Sequence, residues 1–260
     1  MNSYVEMNST NNREGKMIDE TKNGLSKLRL LGMLKSLSIR LDEATVGGWS
    51  HADFLAAMTT DELFFRRTKQ TEQRIKRAKF RSNVTLDHFD YTTKRSLDKK
   101  QLQSLKELNF IGKKQTLVLI GPTGVGKTFL ATSLGHHACE NGYNTIFMGM
   151  NVFIEKAKSA RLTNEFLKFR DLLIKCDLLI LDDLGIRPLT NDVVQDLYDI
   201  LEERYQNGAT IITSQLPLKN WKEVIDDPVA LEAIVDRVVH GMKIEITGES
   251  YRKKKGVDKA

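Results

Sequence analysis

The stretch Thr116–Thr128 reads TLVLIGPTGVGKT, and its second half matches the pattern G-x-x-x-x-G-K-[ST]. The apolar run Thr116–Ile120 predicts a buried strand, and the residues after Gly126 predict a helix. Glycines permit a loop whose backbone N–H groups point inward as a nest for an anion. The N-terminus of the following helix adds partial positive charge. The stretch therefore predicts a strand–loop–helix unit that holds phosphate groups.

Two side chains of this loop are expected to contact a nucleoside triphosphate directly. Lys127 would reach the β- and γ-phosphates, and the hydroxyl of Thr128 would ligate Mg²⁺. We therefore expect ATP and Mg²⁺ as cofactors, and a binding set of Gly121, Pro122, Thr123, Gly124, Val125, Gly126, Lys127, Thr128 and Phe129. For Phe129, packing between helix and sheet is the simpler role. A glycine-rich turn that matches by chance is the alternative for the whole loop.

Apolar runs alternate with longer helical patterns throughout the C-terminal part of the chain. The expected strands are 116–120, 145–148, 177–181, 209–213 and 244–246. The expected helices lie near 127–140, 151–175, 191–206 and 228–240. Strands that are apolar on both faces indicate a parallel sheet covered on both sides. Right-handed crossovers then make a three-layer α/β fold.

The N-terminal part has a helical pattern instead. Leucines recur at three- and four-residue spacing between Leu28 and Leu41, and Gly47-Gly48 ends this stripe. Ser50 and Asp53 resemble a capping box, and the helix that follows would run to about Arg81. Its expected apolar face consists of Phe54, Leu55, Met58, Leu63 and Phe64. We predict a helical, basic domain over 1–84, with a flexible polar leader over 1–24, and an ATP-binding domain over 85–260.

Two acids follow the third predicted strand. An apolar strand that ends in an acid, downstream of a phosphate loop, is the Walker B arrangement. Asp182 is expected to hold Mg²⁺ through a water molecule of its shell, and Asp183 to orient or polarise the attacking water. Capping of the following turn is the structural alternative for both.

Polar residues also follow the fourth predicted strand. Thr213, Ser214 and Gln215 stand where a side chain would contact the γ-phosphate or the attacking water. The sequence does not tell which of the three points inward, and Ser214 is included in the expected nucleotide-binding set.

These residues together resemble the IstB-type AAA+ ATPases, which are helper proteins of bacterial insertion sequences, similar in their core to DnaC helicase loaders. The resemblance rests on Gly121–Thr128, Leu178–Gly185, Ile211–Ser214, Asp236–Val238 and Gly248–Arg252. It implies ATP-dependent oligomerisation on double-stranded DNA, recruitment of a partner transposase, and hydrolysis that drives disassembly. A DnaC-like helicase loader is the alternative function, and a small-molecule P-loop kinase is a third class, for which no arginine-rich lid is visible.

The resemblance also implies roles for two arginines. Arg237 would reach into the site of a neighbouring subunit, where an arginine is worth roughly 10³–10⁵ in rate. Pairing with Asp236 or Glu232 on its own helix is the alternative. Arg252 resembles a second arginine sensor, or belongs to a basic tail. Many family members have Asp-Glu where this chain has Asp182-Asp183, which leaves the rate of hydrolysis open.

A basic run between residues 61 and 81 predicts contact with nucleic acid. Arg66, Arg74, Arg77 and Arg81 would stack along one helical face and follow a phosphate backbone. A solvated face is the alternative. No base-reading motif is visible, so target choice would depend on backbone contacts and DNA deformability.

Composition excludes several other classes. The formal net charge is +6 at pH 7, which raises the question of nucleic acid without answering it. Two cysteines, Cys139 and Cys176, make a disulfide framework or a zinc site improbable. No run reaches the length of a membrane span, and no signal-peptide core is visible, so we expect a cytoplasmic protein.

Overall fold

The computed structural model describes the backbone of residues 2–86 and 99–248, and the side chains of 15–86 and 100–248. The chain forms two compact units, Met1–Glu72 and Gln73–Ala260. The domain boundary expected after residue 84 stays a prediction. Within the described ranges, no helix is both long and apolar enough to cross a membrane.

The first unit is helical. Its elements are α1 (Asn2–Lys27), α2 (Leu31–Gly47) and α3 (His51–Ala78), whose last residues belong to the second unit. Gly48 ends α2 in a left-handed conformation, with φ of 59°. At the start of α3, Ser50 and Asp53 exchange hydrogen bonds of 3.2 Å between side chain and backbone, so the capping box is confirmed.

The first unit differs from one of its expectations. The polar leader belongs to helix α1 from Asn2, and its flexibility stays a prediction. The expected apolar face of α3 is only partly buried. Met58 is buried, whereas Leu55, Leu63 and Phe64 are 63–72% exposed. Periodicity identified the helix but not how much of that face is covered.

The second unit alternates strands and helices as predicted. After α4 (Lys99–Lys106) and α5 (Asn109–Gly112) come β1 (Thr116–Ile120), α6 (Lys127–Glu140), β2 (Thr145–Gly149), α7 (Met150–Leu162), α8 (Phe166–Lys175), β3 (Leu178–Leu184), α9 (Asn191–Arg204), β4 (Ala209–Ser214), α10 (Pro228–Val239) and β5 (Met242–Glu245). A 3₁₀ helix, Leu218–Glu223, precedes α10. The helix expected over 151–175 is two helices, because Asn164 between them adopts a left-handed φ of 55°.

The five strands form one parallel sheet in the order β2-β3-β4-β1-β5. Successive residues of β1 face opposite sides. Leu117 and Leu119 pack with α6 in one core, whereas Val118 and Ile120 pack with α7 to α10 in the other. The predicted three-layer α/β architecture is therefore confirmed. The carboxyl ends of β1, β3 and β4 lie at the same edge of the sheet.

A buried arginine connects α8 with β4 at the opposite edge of the sheet, where β4 begins. Arg204 is 1% exposed, and its Nη1 donates to the carbonyls of Leu173 and Cys176 at 2.7 and 2.9 Å. Its Nη2 donates to the carbonyl of Ala209, where β4 begins. The guanidinium group thus satisfies carbonyls at the end of α8 and at the start of β4, which are distant in sequence.

Replacing Arg204 by methionine is expected to lower the free energy of unfolding by roughly 3 kcal/mol or more, because several buried carbonyls lose their donor. Urea unfolding of the two proteins measures the difference. Arg67→Met, which removes an exposed arginine of α3, is the control and should change stability by less than about 0.5 kcal/mol. Equal midpoints for Arg204→Met and wild type would contradict this role.

Candidate nucleotide-binding site

The phosphate loop has the backbone geometry that its glycines predicted. Gly121, Gly124 and Gly126 have φ of 154°, 87° and 102°, all in the region that side chains disfavour. A Cβ on Gly121 would also overlap the carbonyl oxygen of Ile246. The loop leads directly into α6, which begins at Lys127. Loop and helix N-terminus together have a geometry that suits an anion, and binding of phosphate at this loop stays a prediction.

Lys127 lies folded into its own loop. It is 5% exposed, and its Nζ donates to the carbonyl oxygens of Gly121 and Pro122 at 2.7 and 2.9 Å. The ammonium group is therefore held inside the loop where phosphates are expected. Burial of this charge among carbonyls suits an amine that exchanges these partners for phosphate oxygens.

One carboxylate joins the start of α6 to the carboxyl ends of β3 and β4. Oδ1 of Asp182 accepts hydrogen bonds from Thr128 Oγ1 at 2.9 Å and from Thr213 Oγ1 at 2.7 Å. Thr128 belongs to α6, Asp182 to β3 and Thr213 to β4. The predicted partnership of Thr128 and Asp182 is thus present as a direct contact, and Thr213 completes it.

The remaining oxygen of Asp182 suits a cation. Asp182 is fully buried, and its Oδ2 has no hydrogen-bond partner. Burial raises the pKa of Asp182, because the charged form loses hydration. A hard cation that takes oxygen ligands would compensate for that loss. The oxygen atoms of Asp182 and Thr128 therefore fit Mg²⁺. Nowhere in the described residues, this site included, do three or more His, Cys, Asp or Glu side chains form a cluster that could hold a metal ion.

Asp183 sits in a distorted part of the strand. The register of β3 against β4 shifts between Leu181 and Leu184, and Asp183 has a left-handed φ of 66°. Its backbone N–H donates to Thr213 Oγ1 at 2.9 Å. Aspartate tolerates this conformation better than most residues. This is a physical reason for an aspartate at position 183.

Among the polar residues at the end of β4, Ser214 makes contacts that differ from the expected contact with a nucleotide. The Ser214 hydroxyl donates to the carbonyl of Leu184 at 2.8 Å and accepts from the N–H of Leu216 at 3.1 Å, so it supports backbone rather than a nucleotide. Thr213 contacts the acids instead. Gln215 accepts a hydrogen bond of 2.7 Å from Thr123 of the phosphate loop. The inclusion of Ser214 is therefore wrong, since Thr213 and Gln215 are the residues that reach the site.

Phe129 and Arg252 are the other two residues that were expected to contact the nucleotide. Phe129 is partly buried and packs against the core on the α6 face, which is the simpler role anticipated for it. Arg252 lies outside the described residues. Leu86 is buried in the same core as Phe129.

Arg237 is held within its own chain. Its guanidinium group donates to both carboxylate oxygens of Glu202 on α9 and to Asp236 beside it. The centre of the guanidinium group also lies 5.2 Å from the ring centre of Tyr205. Sequence reasoning anticipated the pairing with Asp236 as an alternative, and missed Glu202. A role in a neighbouring subunit stays a proposal.

The expected basic row is wrong for Arg81. The helix ends at Ala78, and Lys79 turns away with a φ of 59°, so Arg81 is not on the helical face. Its guanidinium group lies instead beside Asp182 and Asp183. Arg66 remains on α3 but pairs with Glu62 at 2.7 Å. The expected row of arginines is interrupted because α3 ends before Arg81, and this helix end depends on tertiary contacts.

Arg74 and Arg77 line a groove of about 610 Å³ in the second unit, along the strand β2 at the edge of the sheet. Its floor includes Ile146 and Met148. Six basic residues line it: Arg74, Arg77, Lys79, Arg81, Lys156 and Lys175. No acidic side chain is among the described residues that line it. Burial and the charge of Lys79 lower the pKa of Lys156, which indicates crowded positive charge.

Sequence reasoning missed Lys79, Lys156 and Lys175 as members of this groove. Lys156 and Lys175 come from α7 and α8, far along the chain from α3. No spacing signal connects them with Arg74 and Arg77, because only the fold brings these helices to the same sheet edge. The charge of Lys79 was visible in the basic run, but not its place in a groove.

The chain is similar to ATP-binding proteins of insertion sequences. The model of the family of IstB-like ATP-binding proteins matches residues 23–259. An insertion sequence ATP-binding protein of Sinorhizobium fredii is 34% identical over 90% of this chain and 96% of its own length. The ATP-binding protein of insertion sequence IS21 from Pseudomonas aeruginosa is 31% identical, over 88% of this chain and 87% of its own.

Solved structures share the fold. The AMPPCP-bound DnaA from Aquifex aeolicus matches with a TM-score of 0.56 and 22% identity, over 70% of this chain and 56% of that chain. DnaI matches with a TM-score of 0.55 and 21% identity, over 64% of this chain and 92% of that chain. The DnaC helicase loader matches at 0.51 and 22%, over 64% and 97% respectively. These likenesses confirm the predicted AAA+ fold.

Proposed function

Because the chain belongs to the family of IstB-like ATP-binding proteins, we propose that it is an ATP-dependent helper of DNA transposition. In this proposal it binds ATP and Mg²⁺, assembles as a homo-oligomer on double-stranded target DNA, and recruits or stimulates a partner transposase. Hydrolysis of ATP to ADP and phosphate drives disassembly. Its relatives named as insertion sequence ATP-binding proteins support this context.

The observation that carries the nucleotide part is the pair of hydrogen bonds from Thr128 and Thr213 to Asp182, beside the buried Lys127. Lys127 would bind the phosphates, and Thr128 and Asp182 would hold Mg²⁺. The ion supplies neutralising charge for the triphosphate. Asp183 orients the attacking water, with its backbone held by Thr213.

Assembly would complete the site. We assign Arg237 the role of stabilising charge on the phosphoryl oxygens of a neighbouring subunit. It must then exchange its contacts with Glu202 and Asp236 for the partner's nucleotide. These two carboxylates keep the guanidinium group charged and oriented in the free chain. Dependence of hydrolysis on assembly follows from this arrangement.

The basic groove supports DNA binding. Clustered cations such as those that line the groove gain from contact with a polyanion, because phosphates replace their mutual repulsion and counterions are released. Arg74 and Arg77 belong both to the basic row expected from the sequence and to the lining of the groove. Contact with phosphates alone gives affinity without base readout.

Exchange of Arg74 and Arg77 for glutamine is expected to weaken ATP-dependent binding to random duplex DNA and to reduce its dependence on salt. Loss of two phosphate contacts should lower the slope of log affinity against log salt by about 1.8. Filter binding with AMPPCP at several salt concentrations measures both quantities. Lys168→Gln with Lys222→Gln removes the same charge from exposed positions outside the groove, and should leave the slope nearly unchanged.

If both double variants change affinity and slope equally, general charge rather than the groove explains binding. If the wild-type protein with AMPPCP ignores duplex DNA, the DNA part of the proposal fails. A DnaC-like helicase loader remains the alternative function, since DnaI and DnaC share the fold. Binding of a replicative helicase, with no effect on a transposase encoded beside this gene, would favour that alternative.

A further inference from the structure

Arg81 faces the two acids of the candidate metal site. Its Nη1 lies 3.5 Å from Oδ2 of Asp182 and 3.6 Å from Oδ2 of Asp183. The Arg81 side chain is 50% exposed, whereas that of Asp182 is fully buried. The contact therefore joins a cation that can move into solvent to a carboxylate that cannot.

The chain around Arg81 is held in place by packing. The ring of Phe80 stacks on His136 with centroids 4.2 Å apart, and the Ser82 carbonyl lies 3.2 Å from Nε2 of His136. Both neighbours of Arg81 are thus fixed to α6. These contacts aim the side chain at the acids without help from a ligand.

The position of the Arg81 side chain depends on two residues of β2. The guanidinium group lies 5.8 Å from the ring centre of Phe147 and passes over Gly149. A Cβ at position 149 would overlap Nη2 of Arg81. In the sheet register Gly149 is the partner of Asp182. A glycine at this register position leaves the space through which the guanidinium group reaches the acids.

The oxygen that Arg81 approaches is the one that suits a metal ion. Oδ2 of Asp182 has no hydrogen bond, because Thr128 and Thr213 both donate to Oδ1. At 3.5 Å, Arg81 neutralises this oxygen without a close hydrogen bond. A divalent cation at the same oxygen would repel the guanidinium group, and the exposed arginine is the partner that can leave.

We propose that Arg81 is a positioning residue that neutralises the Asp182–Asp183 pair before metal binds and competes with Mg²⁺ for it. The inference rests on the proposed function, since it takes this site to bind nucleotide with Mg²⁺. Binding of the ion displaces the guanidinium group toward the basic groove, where it is a lining residue. Arg81 thereby sets the metal affinity of the site and touches neither nucleotide nor reacting atoms.

The test measures metal affinity in the full chain. Mn²⁺ replaces Mg²⁺ as the probe, and free Mn²⁺ is followed by electron paramagnetic resonance with saturating ADP, so that no turnover is needed. Arg81→Met keeps an unbranched side chain and removes the charge. We expect it to bind Mn²⁺ about tenfold more tightly, equivalent to ~1.4 kcal/mol. Arg81→Lys, which restores a positive charge, should return most of the way to wild type.

Two further variants separate position from charge. Gly149→Ala keeps Arg81 but pushes its guanidinium group aside, so it should shift Mn²⁺ affinity in the same direction as Arg81→Met. Arg187→Met removes a charge from an exposed residue after β3 and should leave Mn²⁺ affinity within about twofold of wild type. ADP affinity without metal should be equal in wild type and Arg81→Met.

Unchanged or weaker Mn²⁺ binding by Arg81→Met, with ADP binding intact, overturns the role of Arg81 and leaves the proposed function standing. Weaker metal-free binding of ADP would show that Arg81 contacts the nucleotide, which also overturns it. Failure of the wild-type chain to bind ADP would overturn the proposed nucleotide function itself. Should Arg81→Met not fold, Arg81→Lys and Gly149→Ala still decide, because competition predicts an Mn²⁺ affinity close to wild type for Arg81→Lys and tighter binding for Gly149→Ala.

Discussion

Replacing Lys127 by alanine is expected to weaken ATP binding about a hundredfold, and with it ATP-dependent assembly on DNA. The ammonium group is the charged donor of the phosphate loop, and it is already buried there on the carbonyls of Gly121 and Pro122. Its loss removes charge-assisted hydrogen bonds to the phosphates. Titration with a fluorescent ATP analogue measures the dissociation constant.

Lys168→Ala is the control for this prediction, because Lys168 is an exposed residue of α8 whose side chain pairs with Glu165. It should bind ATP as tightly as wild type. Thermal unfolding without nucleotide shows whether Lys127→Ala retains its fold, which is necessary because Lys127 also supports the loop. A folded Lys127→Ala protein with wild-type affinity for ATP would remove this loop from the candidate site.

Replacing Asp183 by asparagine is expected to preserve ATP binding and to slow hydrolysis by roughly 10²–10⁴. The carboxylate that orients and polarises water is lost, whereas the backbone conformation is retained, because asparagine also tolerates the φ of 66° at this position. Complexes with ATP and DNA should therefore persist. Phosphate release and the lifetime of the complexes on DNA provide the two measurements.

Asp226→Asn provides the matched control, since Asp226 is exposed and lies before α10. Its rate of phosphate release should equal that of wild type. Undiminished hydrolysis by Asp183→Asn, or rapid disassembly of its complexes while ATP is present, would contradict the assignment of Asp183. Asparagine tests the charge more cleanly than alanine, because the left-handed backbone would also strain an alanine.

Much of the second unit followed from local sequence patterns. The expected strand 116–120 and helix 127–140 coincide with β1 and α6, and the other strands differ by up to a few residues at their ends. Strand β3 extends through Asp182 and Asp183 because a bulge carries the ladder past them. Such a bulge depends on the partner strand, so the apolar run alone could not predict it.

The site around Asp182 and Asp183 shows most clearly which features the sequence predicts and which depend on the fold. Loop motif and strand-end acids identified Lys127, Thr128, Asp182 and Asp183, because each belongs to a short pattern with its own chemistry. The choice of Thr213 over Ser214 depended on which hydroxyl faces β3 across the sheet. Arg81 was placed on a helical face by its spacing, although helix α3 ends three residues earlier.

By itself, the sequence determined the alternation of strands and helices, the phosphate loop and the acids after β3, since periodicity and motif chemistry act over a few residues. Only the tertiary structure decided that Arg81 faces those acids and that Lys156 and Lys175 join Arg74 and Arg77 in one groove. The physical reason is that these contacts join elements far apart in the chain, and the order and packing of the sheet determine which side chains meet.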